Sequence, residues 1–276
     1  MVKRRTYKHS RAAMLKTLIL AAAAFLFFAS CTTIEGAYPD GSKLAKSDSH
    51  PFGNKSEART AAAYADGKEA EGEIIRRGDR ELLVSDGYIV PTQIQEMIVN
   101  SGIRLTETGN LVVNGQEFPA DCTGTVLAAY WGAGLNPVKY FHLYSGNGVQ
   151  RLNDMGEDYG LNYMDALPSP GDVIIWDNTY DKDGDGKWGD PYTHAGVVIS
   201  VSENGQITYL HYNYAKGVVL EKMNLIKPDE YTDENGELVN SPLRLRADRH
   251  IKPDAWLASH LVRGFIPLYE YPGIGD

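Results

Sequence analysis

Two short segments of this 276-residue chain carry residue types that could do nucleophilic chemistry together. Asp121-Cys122-Thr123-Gly124 leads from a polar loop into an apolar helical run. A helix start offers unpaired N–H groups and a partial positive charge, and both lower the pKa of a thiol. The plainer fate of such a cysteine is a small buried hydrophobe. Thr193-His194-Ala195-Gly196-Val197 opens a strand, with small neighbours that admit close approach of the cysteine helix. A neutral imidazole there takes the thiol proton and later protonates a leaving amine. His211, 17 positions on, is placed to orient the first imidazole. Such a set needs no cofactor for its chemistry.

Asp181-Lys182-Asp183-Gly184-Asp185-Gly186 has calcium-loop spacing, with carboxylates at positions 1, 3 and 5 and glycine at 6. Lys187 would contribute its backbone carbonyl, and Asp190 falls at position 10. Position 12, where a bidentate Glu normally sits, is Tyr192. Asp181, Asp183, Asp185, Lys187 and Asp190 are therefore the expected ligands of a structural calcium, with a solvated Asp-Gly turn as the alternative. The loop ends three residues before His194, so ordering it would position that histidine.

The elements that must hold these groups follow from periodicity. Val126, Leu127 and Tyr130 give a helix over Cys122–Trp131, stopped by Gly132, Gly134 and Pro137. Pro91–Val99 reads as a helix with Ile94, Met97 and Ile98 on one face, and Leu111–Val113 as a strand entering the Asn114-Gly115 turn. Strands follow at 173–176, 195–201, 206–210, 218–220 and 262–269. Helices first and an antiparallel meander afterwards give an α+β fold. Asn204-Gly205 predicts a two-residue type I′ hairpin turn. Residue 211 would then pair with 198, leaving the two histidines about 13 Å apart along the strand. Either a bulge or longer loop shifts the register, or Asn213 orients His194 instead. His142 is expected as a wall or core residue, His250 and His260 as surface residues of a polar helical stretch, and Asp172 as the holder of a turn. Trp176, Trp188 and Tyr212 are expected to pack.

A composition of 43% hydrophobic and 23% charged residues is globular. Residues 1–30 hold six basic and no acidic residues, and the twelve apolar residues Leu18–Ala29 are too few to span a bilayer but suit a secretory signal. Cys31, after Phe28-Ala29-Ser30, resembles the cysteine of a bacterial lipobox, which becomes the lipidated first residue. Such a lipid holds a protein to a membrane without a spanning helix, and Thr32 in place of Asp directs it to an outer membrane, facing the periplasm. If Cys31 is lipidated, no disulfide joins the two cysteines. Residues 31–72 read as a flexible tether, and 73–276 as one folded domain with an Asp-rich insertion at 177–192. Without the first 30 residues, 21 basic stand against 36 acidic residues, a balance of −15. Nucleic-acid binding is excluded by that charge. A monomer is expected.

Four segments resemble the NlpC-type papain-like cell-wall cysteine endopeptidases. Asp121-Cys122-Thr123-Gly124-Thr125-Val126 is similar to that family's Asp-Cys-Ser-Gly-Phe-Val, and Pro170-Gly171-Asp172-Val173 to its Pro-Gly-Asp-Leu. His194-Ala195-Gly196-Val197 is similar to its His-Val-Gly-Ile, and His211 precedes Gly217-Val218 as the family's third polar residue precedes Gly-Val. The resemblance spans about residues 91–270. It implies a papain-like fold with the nucleophile at the start of a helix packed on an antiparallel sheet. It implies the roles of nucleophile for Cys122, base for His194 and orienting residue for His211, with peptidoglycan stem peptides as substrate. Thr123 and Thr125 depart from the usual Ser and Phe, and the 72-residue interval from Cys122 to His194 is long for the family. A catalytically silent wall-binding lipoprotein, or another amide or lipid hydrolase on this fold, are the alternatives.

Overall fold

The computed structural model describes residues 72–77 and 80–275, together with the backbone of two short paired strands, β1 (Tyr64–Ala65) and β2 (Lys68–Glu69). The signal segment 1–30, the lipidation site Cys31 and nearly all of the tether 31–72 lie outside the described residues.

Three strands follow β1 and β2: β3 (Glu73–Arg77), β4 (Arg80–Ser85) and β5 (Tyr88–Ile89), paired antiparallel as a small sheet. Asp86 and Gly87 both take positive φ (52° and 78°), the type I′ geometry that matches strand twist. Helix α1 (Gln93–Thr108) starts where the Thr92 N–H donates to Gln95 Oε1 at 2.7 Å and ends at Gly109. The periodicity predicts a helix only over 91–99. The added turns contain buried Ser101, Gly102 and Leu105, so packing carries the helix past Asn100-Ser101-Gly102, where propensity alone would end it. The hairpin β6 (Val112–Val113) and β7 (Gln116–Glu117) turns at Asn114-Gly115 as expected. Helix α2 (Cys122–Gly132) is buried without interruption from Cys122 to Tyr130, as befits a helix apolar on every side. Helix α3 (Gly148–Asp158) is capped by the Asn147 side chain, which accepts from the Gln150 N–H.

The main sheet contains β8 (Val173–Trp176), β9 (His194–Val201), β10 (Gln206–Asn213), β11 (Gly217–Asn224) and β12 (Val262–Ile266). Their order is β11-β10-β9-β8-β12 and every neighbouring pair is antiparallel, so the α+β expectation holds. One face packs on the helices through Val173, Ile175, Ala195, Val197 and Leu210. The other buries Ile174, Trp176, Val198 and Tyr209 beneath Leu82, Val84 and Ile89 of the small sheet. Alternating side chains on β8 and β9 thus feed two cores.

Two expectations are corrected here. The β9–β10 turn is not a two-residue one. The Gly205 N–H donates to the Ser202 carbonyl and Gly205 alone takes positive φ (86°), a three-residue loop ending in a left-handed glycine. The region of His250 and His260 forms no long helix, only a 3₁₀ turn at Arg246–Asp248 and a short helix at Ala258–Leu261. Pro253 lacks the N–H a helix needs there, and the Asn240 amide instead anchors the preceding segment to the carbonyls of Lys227 and Glu230, both at 2.8 Å. Among the described residues no helix is long and apolar enough to cross a membrane.

Asp172 holds the turn into β8, as expected. Its carboxylate accepts from the Ser169 N–H and the Tyr269 hydroxyl, each at 2.9 Å, and from the Tyr163 hydroxyl.

Candidate active site

The start of α2 is built by Asp121, whose side chain accepts from the Gly124 N–H at 2.7 Å. Its carbonyl receives the Thr125 N–H at 3.0 Å and the Thr125 hydroxyl at 2.9 Å. Burial raises the Asp121 pKa against the opposing pull of the Gly124 and Thr123 N–H groups. A Cβ on Gly124 would lie 1.9 Å from the Pro119 carbonyl oxygen, so only glycine lets the loop fold back over the first turn. Cys122 is the first helical residue and is fully buried. Thr125, where the resembling motif has Phe, spends its hydroxyl inside the cap.

The loop after β9 and a bulge between Thr208 and Tyr209 shift the register by two positions from the two-residue-turn expectation. His211 therefore stands opposite Gly196 rather than residue 198. His194 becomes its diagonal neighbour, a separation that ring side chains can bridge. His194 Nε2 and His211 Nδ1 are 2.9 Å apart, with the rings nearly perpendicular at 81°. Gly196 is needed between them, since a Cβ there would come within 2.6 Å of the Leu210 carbonyl and 3.0 Å of the Trp176 ring. Trp176 packs on His194 with ring centroids 5.7 Å apart. Burial, and then His211, push the His194 imidazole well below its ordinary pKa. Asn213 does not join them, because its side chain accepts from the Ala215 N–H and closes the β10–β11 turn.

The start of α3 ties the cysteine helix to the histidine strand. A Cβ on Gly148 would meet the Thr123 hydroxyl at 2.5 Å, which places that glycine tightly against the residue after Cys122. The adjacent Asn147 amide donates to the Tyr192 carbonyl at 3.0 Å, two residues before His194. Tyr192 is held at φ 56° by this bond and by its own N–H, which donates to Asp177 Oδ1 at 2.7 Å.

Glu221 is the residue that the sequence reading missed. It lies on β11 two positions beyond Val219, the partner of His211. Its Oε2 is 3.3 Å from His211 Nε2, an electrostatic contact rather than an aligned hydrogen bond. His194, His211 and Glu221 thus form one diagonal line across three strands. Burial raises the Glu221 carboxyl pKa, but His211 and Lys216 outweigh it, and the group sits below the ordinary range. The alternation of β11 and its short turn were a signal that could have placed Glu221 beside His211.

Of the five expected calcium ligands, Asp181, Asp183 and Asp190 converge, each bringing a carboxylate oxygen within 4.8 Å of the others. Asp185 turns instead to Lys187, whose Nζ and backbone N–H both reach it at 2.8 Å. The loop stem is tied to the histidine strand by the Thr179 N–H, which donates to Thr193 Oγ1 at 2.9 Å. His142 is exposed on a 3₁₀ turn, not in a wall or core, and His250 is exposed as expected. Trp188 carries the Arg244 guanidinium and the Lys252 ammonium over its ring. A cavity of about 540 Å³ opens between α3 and the β8–β12 edge, with Asn153, Glu157, Asp177 and Arg263 among its walls. None of Cys122, His194 and His211 lines it. It adjoins the site through Arg263, which donates to the Tyr192 hydroxyl at 3.1 Å.

Residues 113–213 match the family model of the CHAP domain, a cell-wall amidase and peptidase domain of the papain-like cysteine peptidase group. The matched stretch contains Cys122, His194 and His211 and stops short of Glu221. No curated protein and no solved structure matches the chain.

Proposed function

We propose that this chain is a cysteine-dependent peptidoglycan hydrolase that cuts amide bonds of wall peptides. The observation that carries the reading is the His194–His211 pair, 2.9 Å apart, on the strands against which the Cys122 helix packs. Glu221, ionised, draws the His211 proton to Nε2. His211 Nδ1 then accepts the Nε2 proton of His194, and the lone pair of His194 Nδ1 is left to receive the thiol proton. The Cys122 thiolate attacks the scissile carbonyl, and backbone N–H groups beside it stabilise the oxyanion. His194 returns the proton to the departing amine, and water releases the acyl group by the same route in reverse.

Glu221 acts here as a positioning residue, through His211. Glu221→Gln is expected to lower kcat/KM about tenfold and to move the acid limb of the pH profile, with Glu221→Asp restoring part of the loss. A Gln variant with an unchanged pH profile would remove Glu221 from the relay.

The anchor rests on the sequence alone: the basic start, the apolar run and Cys31 support a lipoprotein of the cell envelope, directed by Thr32 to the outer membrane. Stem peptides are its partners, and it works as a monomer.

Full burial of Cys122 favours a second reading, a wall-peptide binder that does not hydrolyse. Mass spectrometry of purified muropeptides incubated with the full-length chain, before and after iodoacetamide, decides between them. New fragments that disappear after alkylation support the hydrolase, and the mass lost identifies the bond. Intact muropeptides in both samples, together with a thiol that resists alkylation, support the binder.

A further inference from the structure

We infer that Asp181, Asp183 and Asp190 form a binding site for a hard divalent cation of calcium's size. Two observations carry this independently. The first is convergence: the three carboxylates come from both arms of the 181–190 loop, and their oxygens lie within 4.8 Å of one another. Two oxygens bound to one calcium at 2.3–2.6 Å are at most about 5 Å apart, and every pair of the three meets that limit. A small inward turn of the exposed Asp183 side chain brings all three to bonding distance of one ion. The second is Asp190 itself. It is only 5% exposed, and its Oδ2 is buried with no hydrogen-bond partner. Oδ1 is not in that position, for it accepts from the Lys182 N–H at 3.0 Å. A buried carboxylate oxygen without a donor is costly, and a cation shared with Asp181 and Asp183 supplies the missing partner.

The remaining groups fit this use. Asp181 receives the N–H groups of Gly184 and Gly186, one on each oxygen at 3.0 Å, which curls the loop around its carboxylate. Each ionised oxygen keeps a further lone pair for a metal. Lys187 pairs with Asp185 at 2.8 Å, and among the described residues it makes no salt bridge to the three convergent carboxylates. An all-oxygen, irregular ligand set suits calcium better than magnesium, which demands near-octahedral geometry and holds its waters. The site stands on this geometry and does not depend on the hydrolase reading.

The test uses the full-length chain stripped with EGTA and titrated with calcium chloride. At a hundredfold excess over Kd, Tm is expected to rise by about 5–10 °C, and EGTA to reverse the rise. Terbium bound in the loop is expected to luminesce on excitation of Trp188 and to be displaced by calcium. Asp183→Asn, an exposed change that leaves the packing untouched, is expected to weaken calcium affinity at least tenfold. No Tm rise and no sensitised terbium in the unaltered chain would overturn the site. So would a calcium response in Asp183→Asn equal to that of the unaltered chain.

Discussion

His194→Ala lowers kcat/KM on muropeptides by about 10³-fold or more, and Cys122→Ala by at least about 10⁴-fold, with both variants still folded. The magnitudes follow from the roles. General acid–base transfer contributes about 10²–10⁴-fold, and without the thiol no acyl-enzyme forms. Cys122→Ala removes one buried atom from a tightly packed helix start, so its melting curve stays close to that of the unaltered protein. The pH dependence is a finer readout. Burial and His211 hold the His194 imidazole well below its ordinary pKa, so it remains neutral and able to accept a proton down to mildly acidic pH. The acid limb of kcat/KM therefore falls below pH 6.5, the ordinary histidine value. Steady-state kinetics over pH 4–9 check this. An acid limb above 6.5, or His194→Ala activity within tenfold of the unaltered enzyme, would remove His194 from the role of base.

Asp172→Ala unfolds the protein more readily than any conservative core change. It strands two donors, the Tyr163 and Tyr269 hydroxyls, and leaves the Ser169 N–H only its longer bond to the Tyr163 hydroxyl at 3.3 Å. At about 1–3 kcal/mol for each unsatisfied buried donor, the loss is on the order of 2–6 kcal/mol, or about 5–20 °C in Tm. The same carboxylate gives stability a pH slope of definite sign. Burial raises its pKa, against Tyr163, Arg80, Ser169 and Tyr269, to about 6 from 3.8. The folded state thus holds the proton more tightly than the unfolded chain. The stability that protonated Asp172 supplies is fully present below about pH 3.8 and is lost as pH rises through about 6. The difference across that window is on the order of 3 kcal/mol. Urea unfolding of the unaltered chain and of Asp172→Asn at pH 4, 5, 6 and 7 isolates it. Parallel stability curves for the two proteins would refute the assignment.

Much of the candidate site was legible because its signals are local. The Asp121-Cys122 cap, the small residues after His194 and the apolar alternation of β8 and β9 all act within a few residues of the chain. What escaped depends on contacts between distant segments. The length of α1 is set by what Gly102 and Leu105 pack against, and propensity within the segment cannot report that. The turn at Asn204-Gly205 obeys the shape of the sheet rather than the preference of its dipeptide. Sequence stated the register problem correctly, and the answer is both a longer loop and a bulge. Glu221 is two strands from His194 and becomes visible only once that register is known. In the aspartate loop, spacing put Asp185 with the ligands, yet the adjacent Lys187 ammonium claims it.

The bulge between Thr208 and Tyr209 makes chain length, as much as residue identity, a determinant of the proposed relay. Side chains reverse face with every residue, so the relay operates like a combination lock with β10 as its dial. One residue gained or lost in the paired stretch Gln206–Thr208, with the turn held, would turn His211 away from His194 while leaving the identity of every site residue unchanged. A related chain could thus keep Cys122, His194, His211 and Glu221 and still be inert. Its loss of function would be recorded only as a gap in an alignment, in a stretch of β10 that contains none of them.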